Sequence, residues 1–371
     1  MGTSFFSDTM PSDKFLEILR FIRFDKKSER SQRLKTDKFA LISKIWNQFI
    51  ENNQACYKPD ANITVDEQLF STKTRCQFTQ YMPNKPDKFG IKFWLASDVR
   101  SKYLINGFPY LGKDETRASN IPLGEFVVSK LVEPYLGCGR CITTDSFFTS
   151  LSLAKRLLAK KTSLVGTIRA NRKELPKIAK TNIDKMTRYS TKLYKTENYS
   201  LTIYKSRTNK KVLLLSSRHK NVTIAQNEKR LPETITFYNS TKYGVDILDQ
   251  MARKYSVKAG SRRWPLHVFY NILDLAAINA WVLYKETTQA NISRKEFLFK
   301  LAEELGDDYR DEIINSSIPL SEIQNTAVRK NCQVQASCNR NRCKDICAKC
   351  NKNVCRKCIS KTDIICTNCV E

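Results

Sequence analysis

Nine of the chain's 13 cysteines lie in its last 40 residues, CQVQASCNRNRCKDICAKCNKNVCRKCISKTDIICTNCVE. Three CxxC pairs stand clear: Cys347/Cys350, Cys355/Cys358 and Cys366/Cys369. Each such pair can set two thiolates on one tetrahedral Zn²⁺. Two sites need eight ligands, so the fourth pair must come from among Cys332, Cys338 and Cys343. Scattered free thiols are the bland alternative, and this density argues against them. The other four cysteines (Cys56, Cys76, Cys138, Cys141) are spread over the first 331 residues. The opening MGTSFFSDTMPSDKF has no basic stretch followed by an apolar run, so it does not read as a secretory leader. In an intracellular chain such a tail implies metal rather than disulfides.

The 371 residues allow two or three domains and at least one large core. Lys and Arg number 64 against 37 Asp and Glu, a formal charge of +27 spread along the chain. That excess points to a polyanionic partner, of which nucleic acid is the commonest. The most apolar helix candidate, ILDLAAINAWVLY (272–284), is short for a membrane span and carries Asp274, so it reads as a core helix.

Helical spacing marks 12–24, with Ser12 as a candidate N-cap, and 37–53. Residues 61–70 read as a buried strand, and 88–98 with 102–111 as a strand pair. A helix over 122–136, a strand over 141–148, a helix over 150–161 and a strand over 163–169 follow. Residues 170–232 are polar and basic with β-like runs and read as an inserted strand-rich subdomain. ETITFYN (233–239) reads as a strand, 242–257 and 265–287 as helices, and 316–331 as a linker. The order gives a mixed α/β core interrupted by an insert and followed by a small metal module.

Three acidic spots sit where the surrounding residues want to be core. Asp66 follows Ile63-Thr64-Val65, Asp145 follows CITT, and Asp246 and Asp249 share one face of a helix at i, i+3. A buried carboxylate is costly unless it is paired or holds a metal. If the strands at 63–69 and 141–147 are neighbours, Asp66 and Asp145 project together and Asp246 can close the group. Such oxygen donors suit Mg²⁺ or Mn²⁺, and a pair of these ions serves phosphodiester chemistry. Caps, turns and ion pairs are the ordinary roles of a single Asp. Glu67 points to the opposite strand face and reads as structural or supporting. The histidines, His219 and His267, stand alone without metal spacing.

The segments VDEQL (65–69), YMPNKPDKFGIK (81–92), LINGFPYLG (104–112), TTDSFFTS (143–150), LVGTIRANRKELP (164–176), YNSTKYGVDILDQM (238–251) and SRRWPLHVFYNILDLAAINAWVLY (261–284) occur in the order seen in piggyBac transposases. The chain resembles that family, including its transposable element-derived members, from about residue 10 to the C-terminus. The resemblance implies an RNase H-like catalytic core with a β-rich insertion domain and a C-terminal cross-brace zinc module. It implies the boundaries 1–60 for part of a helical dimerisation and DNA-binding domain, 61–170 and 233–315 for the core, 171–232 for the insert, 316–331 for a linker and 332–371 for the zinc module. Carried over by motif, Asp66, Asp145 and Asp246 are the catalytic metal-binding acids, with Asp249 a neighbouring fourth.

The implied reaction is metal-dependent hydrolysis at transposon ends, then hairpin formation and strand transfer into TTAA target DNA, using Mg²⁺ or Mn²⁺. Lys73, Arg75, Lys85, Lys88, Arg262 and Arg263 flank the acid-bearing segments and are candidates for phosphate contact. Trp264 is either a base-stacking residue or a helix-start anchor in the core. In the family's zinc pattern Cys347, Cys350, Cys366 and Cys369 hold one ion, and Cys355 and Cys358 hold the other with the first pair. A family-like CxxC beginning at Cys332 needs a cysteine at 335, where Gln335 stands. Cys338 is taken as its substitute, with Cys343 left open. A ligase-type role also fits a cross-brace, but nothing else in the sequence supports it. The family implies double-stranded DNA as partner, a homodimer in full-length members and a nuclear location. Family members carry a longer region before the first catalytic Asp, so the chain is expected to start inside that domain. A DNA-binding protein that no longer transposes is the second functional expectation.

Overall fold

Thr64, Asp66, Gln68 and Phe70 alternate with Ile63, Val65, Glu67 and Leu69 along one strand, and that alternation sorts the molecule into two faces. The structure, a computed structural model, describes residues 5, 9–113, 117–180, 186–315, 329–360 and 364–369. The chain divides into two compact units, one from Glu17 to Phe299 and one joining the residues up to Leu16 with those from Lys300 onward.

The larger unit is built on a nine-stranded sheet. Strand β1 (Asn62–Ser71) pairs antiparallel with β3 (Phe89–Asp98), which pairs antiparallel with β4 (Leu104–Pro109) and with the short β2 (Thr79–Tyr81). On its other edge β1 runs parallel to β5 (Cys141–Thr144), and β5 parallel to β6 (Ser163–Thr167). The order β4-β3-β1-β5-β6 is an RNase H-like core, three antiparallel strands followed by two parallel ones. Beyond β6 come β9 (Lys210–Ser216), β8 (Ser200–Arg207) and β7 (Thr191–Lys195), all antiparallel. The insert between β6 and residue 233 is therefore strand-rich, and its strands extend the core sheet through β9 rather than stacking as a separate sheet.

Helices α1 (Ser12–Phe21) and α2 (Lys27–Arg33) lead to α3 (Ser43–Cys56). Helix α3 starts later than its apolar spacing suggests, because Asp37 accepts the Phe39 N–H at 2.7 Å and holds 37–42 in tight turns. One face of the sheet carries α4 (Leu123–Val132) and α5 (Leu151–Ala159), which bury Val127, Val128, Leu131, Leu153 and Leu157 against Ile63, Val65, Trp94 and Ile142. A short helix, α6 (Lys177–Lys180), lies within the insert.

The other face carries α7 (Glu233–Thr241), α8 (Gly244–Lys254) and α9 (Trp264–Thr288). Here the expectation of a strand over 233–239 fails. The β-branched run TIT favours a strand, but Thr234, Ile235, Tyr238 and Thr241 fall on one buried helical stripe that packs on β5 and β6. Helix α9 is longer than its apolar centre and long and apolar enough to cross a membrane, yet 61% of its most apolar stretch is buried inside the protein. Leu266, Val268, Ile272, Leu275 and Ile278 face the core, as expected for this segment.

Helix α10 (Arg294–Asn315) precedes the region read as a linker, of which residues 316–328 lie outside the described residues. Strands β10 (Lys330–Asn331) and β11 (Arg342–Cys343) then open the cysteine-rich tail.

Candidate active site and metal centres

Parallel pairing of β1 with β5 runs as far as Val65 opposite Thr144. The next residue on each chain is an acid, Asp66 and Asp145. The sheet thus delivers both carboxylates to the same place. Asp66 shares its face of β1 with Thr64, the face covered by α7 and α8. Asp145 leaves the strand in a turn that its own side chain closes, accepting the Phe147 N–H at 2.9 Å. Phe148 is buried beneath that turn, and Phe147 stacks on Trp94 at 5.6 Å. The sequence DSFF therefore fixes the aspartate by its neighbours' burial.

Two threonines lock the covering helices. Thr64 donates to the carbonyl of Thr241 at 2.6 Å, and the Thr143 hydroxyl donates to Thr241 Oγ1 at 2.9 Å. Helix α8 then begins at Gly244, where a Cβ would meet Thr64 Oγ1 at 2.6 Å and Ser97 Oγ at 2.7 Å. Only glycine lets α8 approach this closely. Asp246, two residues on, lies exposed at the rim of the same cleft. The cleft holds about 210 Å³ and is lined by Asp66, Asp145 and Asp246 with Thr64, Thr143, Thr144, Tyr238, Lys242 and Tyr243.

Burial pushes the Asp66 carboxyl well above the ordinary aspartate value, with Glu67, Asp145 and Asp246 adding repulsion. Burial also raises Asp145, partly offset by the Phe147 N–H and by Arg169. Buried acids elsewhere have a partner from a distance in sequence: Asp98 accepts from Asp60, and Glu125 from Ser150. Asp66, by contrast, takes the N–H of its neighbour Glu67, and Asp145 that of Phe147. Both residues line the cleft. Three hard oxygen donors lining one cleft suit a divalent cation of the Mg²⁺ class.

The fourth acid is placed differently. Asp249 lines a neighbouring cleft with Gln68, Arg253 and Asn271, not the one shared by the other three. Its Oδ1 accepts from Gln68 Nε2 at 3.0 Å and its Oδ2 pairs with Arg253 at 3.0 Å. Glu67 faces away from Asp66 as expected and sits 4.0 Å from both Lys85 and Lys92.

Several residues near the acids were not singled out in the sequence. Lys92 lies over the Trp94 ring at 3.8 Å, and Lys242 over Tyr243 at 4.6 Å. Burial holds the Lys92 ammonium below its usual value against the pull of Glu67, Asp66 and Asp145. The strand period could have found Lys92, which lies opposite Leu69 on the face that carries Glu67. Of the basic candidates, Lys73, Arg75, Lys88 and Arg262 are exposed. Arg263 is committed elsewhere, donating to the carbonyls of Leu19 and Ile22 at the end of α1. Trp264 makes the contacts its anchor reading calls for, stacking on Phe39 at 5.6 Å and meeting Phe78 edge-on at 5.0 Å, while staying partly exposed. The histidines are structural, His219 bonding Ser216 and His267 the carbonyl of Ser261.

In the tail, Cys332, Cys338, Cys355 and Cys358 form one four-thiol group and Cys347, Cys350, Cys366 and Cys369 another, the sulfurs of each lying within 4.8 Å of one another. The two sets interleave along the chain, which is the cross-brace. Each could hold a metal ion. Cys350 and Cys366 sulfurs are 3.6 Å apart, near the roughly 3.8 Å that tetrahedral Zn–S bonds of about 2.3 Å impose. Backbone amides support the thiolates. The Cys366 N–H on the Cys347 sulfur, at 3.1 Å, helps pull that thiol down to about 6. Cys332, opposed by burial but helped by the amides of Gln335, Cys355 and Val334, also falls to about 6. Gln335 thus keeps the backbone half of a CxxC turn, with φ +57°, while Cys338 supplies the thiol. Cys343 is buried outside both groups.

Residues 1–281 match the family described as Transposase IS4. A solved piggyBac transposase synaptic complex with hairpin DNA superposes at a TM-score of 0.81, with 32% identity over 98% of this chain and 81% of that chain. The chain belongs to the piggyBac transposase family. Among curated relatives, human PiggyBac transposable element-derived protein 2 is 24% identical over 301 residues, 75% of this chain and 49% of its own length. Human PiggyBac transposable element-derived protein 3 is 25% identical over 284 residues, 70% of this chain and 46% of its own length. The chain spans about half the length of these curated relatives. In family terms, the aspartates of VDEQ and TTDSFF and the first aspartate of GVDILDQ share the cleft.

Proposed function

We propose that the chain is a DDE/D-type DNA strand transferase that cuts and joins phosphodiesters at transposon ends. The observation that carries the reading is the convergence of Asp66, Asp145 and Asp246 in one cleft on an RNase H-like sheet. A bound divalent cation supplies charge for the phosphate and a polarised oxygen nucleophile. Asp66 and Asp145 would hold it from the sheet and Asp246 from the helix. Lys92, Lys242 and Arg169 bring positive charge to the neighbourhood of the acids. The Asx turn at Asp145 and the Thr64–Thr241 bond keep the carboxylates in place before substrate arrives, so little reorganisation is needed during reaction.

The order of steps follows the family: hydrolysis that frees a 3′-hydroxyl, hairpin formation, and transfer into TTAA, in the nucleus and as a homodimer on DNA. The structural neighbour is itself a synaptic complex with hairpin DNA, which supports DNA as substrate. On this reading the segment 1–60 belongs to a dimerisation and DNA-binding region, and the tail from 332 grips DNA ends. The net charge of +27 supports salt-sensitive DNA binding through exposed lysines and arginines. The human relatives are named as element-derived proteins, which supports a second reading, a DNA-binding protein that keeps the fold without cutting. A duplex joining the element's own terminal repeat to flanking DNA, incubated with the chain in Mg²⁺ and in its absence, separates them. Mg²⁺-dependent nicking at the junction supports the transferase; salt-sensitive binding without nicking supports the second reading.

A further inference from the structure

Asp66 and Asp246 reach the cleft from different elements, a strand and a helix. Two contacts tie those elements in step. At one end Gly244 meets Thr64, as close as a glycine permits. At the other, Gln68 Nε2 donates to Asp249 Oδ1 at 3.0 Å. Between the two lie the acids themselves, Asp66 two residues before Gln68 and Asp246 three residues before Asp249. Each acid shares a face with its neighbour, by the strand period on β1 and the helical turn on α8.

The second tie is itself held. Gln68 is fully buried, and Asn271 Nδ2 on α9 donates to its Oε1 at 2.9 Å. Asp249 is fixed by Arg253, whose guanidinium also bonds the Leu69 carbonyl at 3.1 Å and Asp87 at 3.2 Å. The chain Asn271–Gln68–Asp249–Arg253 therefore leaves no rotational freedom to the carboxamide in its middle. Both Asp249 oxygens are engaged within it.

The geometry points to Gln68 and Asp249 as a pair of positioning residues whose hydrogen bond sets the separation of Asp66 and Asp246, with Asp249 outside the metal's ligand set. This rests on the metal reading of the acid cleft. One contact at Thr64 would leave α8 free to swing about its N-terminus. The second contact removes that motion, so the two carboxylates are spaced before any ion binds. Groups that orient ligands in this way commonly change metal affinity by about 10–100-fold when lost.

The test is Mn²⁺ titration followed by electron paramagnetic resonance, on the zinc-loaded full chain. Asp66→Asn should remove a Mn²⁺ site present in the wild type. If it does not, the metal reading fails, and this inference with it. Gln68→Glu sets two carboxylates face to face and is expected to raise the half-saturating Mn²⁺ about tenfold or more. Adding Asp249→Asn to Gln68→Glu lets the new amide at 249 donate to the new carboxylate at 68. That swap is expected to recover most of the lost affinity. A ligand lost at 249 would instead weaken binding further, and that result, or an unchanged affinity in Gln68→Glu, would overturn the assignment with the metal reading intact. Should Gln68→Glu not fold, the folded swap decides alone: near-wild-type affinity supports positioning, and loss of the site refutes it.

Discussion

Thr64 on β1 donates its hydroxyl hydrogen to the main-chain carbonyl of Thr241 across 2.6 Å, and both residues are buried. The bond joins the strand that carries Asp66 to the end of α7, just ahead of the turn into α8. Thr64→Val leaves the carbonyl without its partner. A loss of about 1–3 kcal/mol is expected in urea unfolding, with Thr64→Ser close to wild type. Equal stability of the valine and serine variants would show that the hydroxyl holds nothing.

Gly244 allows α8 to lie on that same threonine. A methyl group there must push against Thr64 Oγ1 and Ser97 Oγ. Gly244→Ala is expected to cost about 1–3 kcal/mol and to displace Asp246 from the cleft. Strand cleavage should therefore fall further than the stability loss explains, when assayed at a temperature where the variant is still folded.

Burial and neighbouring carboxylates raise Asp66 above its unfolded value. Its favourable contribution is thus complete at pH below the ordinary aspartate value and is lost as pH rises through the folded one. In buffer without added Mg²⁺, Asp66→Asn is expected to raise the melting temperature near neutral pH. The gain should shrink towards pH of about 4, where the wild-type group keeps its proton. Melting curves across that range check the sign; a variant less stable than wild type at neutral pH would contradict it.

The tail predicts a metal count. Two four-thiol groups imply two zinc ions per chain, one lost on Cys355→Ser and neither on Cys343→Ser, because Cys343 stands outside both groups. Elemental analysis of the purified chains reads this directly. Chelation should release both ions and, because metal binding in such modules is coupled to folding, melt the tail.

The strands of the core were legible because their apolar runs are short and bounded, and the acids within them stood out as costly. The three CxxC pairs were legible from spacing, whereas the cross-brace and Cys338 came from the family resemblance, and the amide of Gln335 on the Cys332 sulfur was not legible at all. Helix α7 was misread because Thr and Ile at 234–236 favour a strand locally, while the stripe Thr234, Tyr238 and Thr241 that packs on the sheet is a tertiary property. The packing of Trp264 was not legible because Phe39 and Phe78, which it meets, lie far away in sequence. Gln68 was hidden for a related reason: it acquires its partners Asp249 and Asn271 only when the neighbouring helices are in place.

The most direct measurement is cleavage of a terminal-repeat duplex by wild type, Asp145→Asn and Asp145→Cys, each in Mg²⁺ and in Mn²⁺. A carboxylate that holds the ion should be irreplaceable by an amide in either metal, and a thiolate should restore cleavage in Mn²⁺ but not in Mg²⁺, since Mn²⁺ accepts sulfur more readily. That pattern is the one predicted here. Cleavage by Asp145→Asn at the wild-type rate would contradict the account, because the carboxylate that the sheet, the Asx turn and Phe148 hold at the cleft would then have no part in the chemistry.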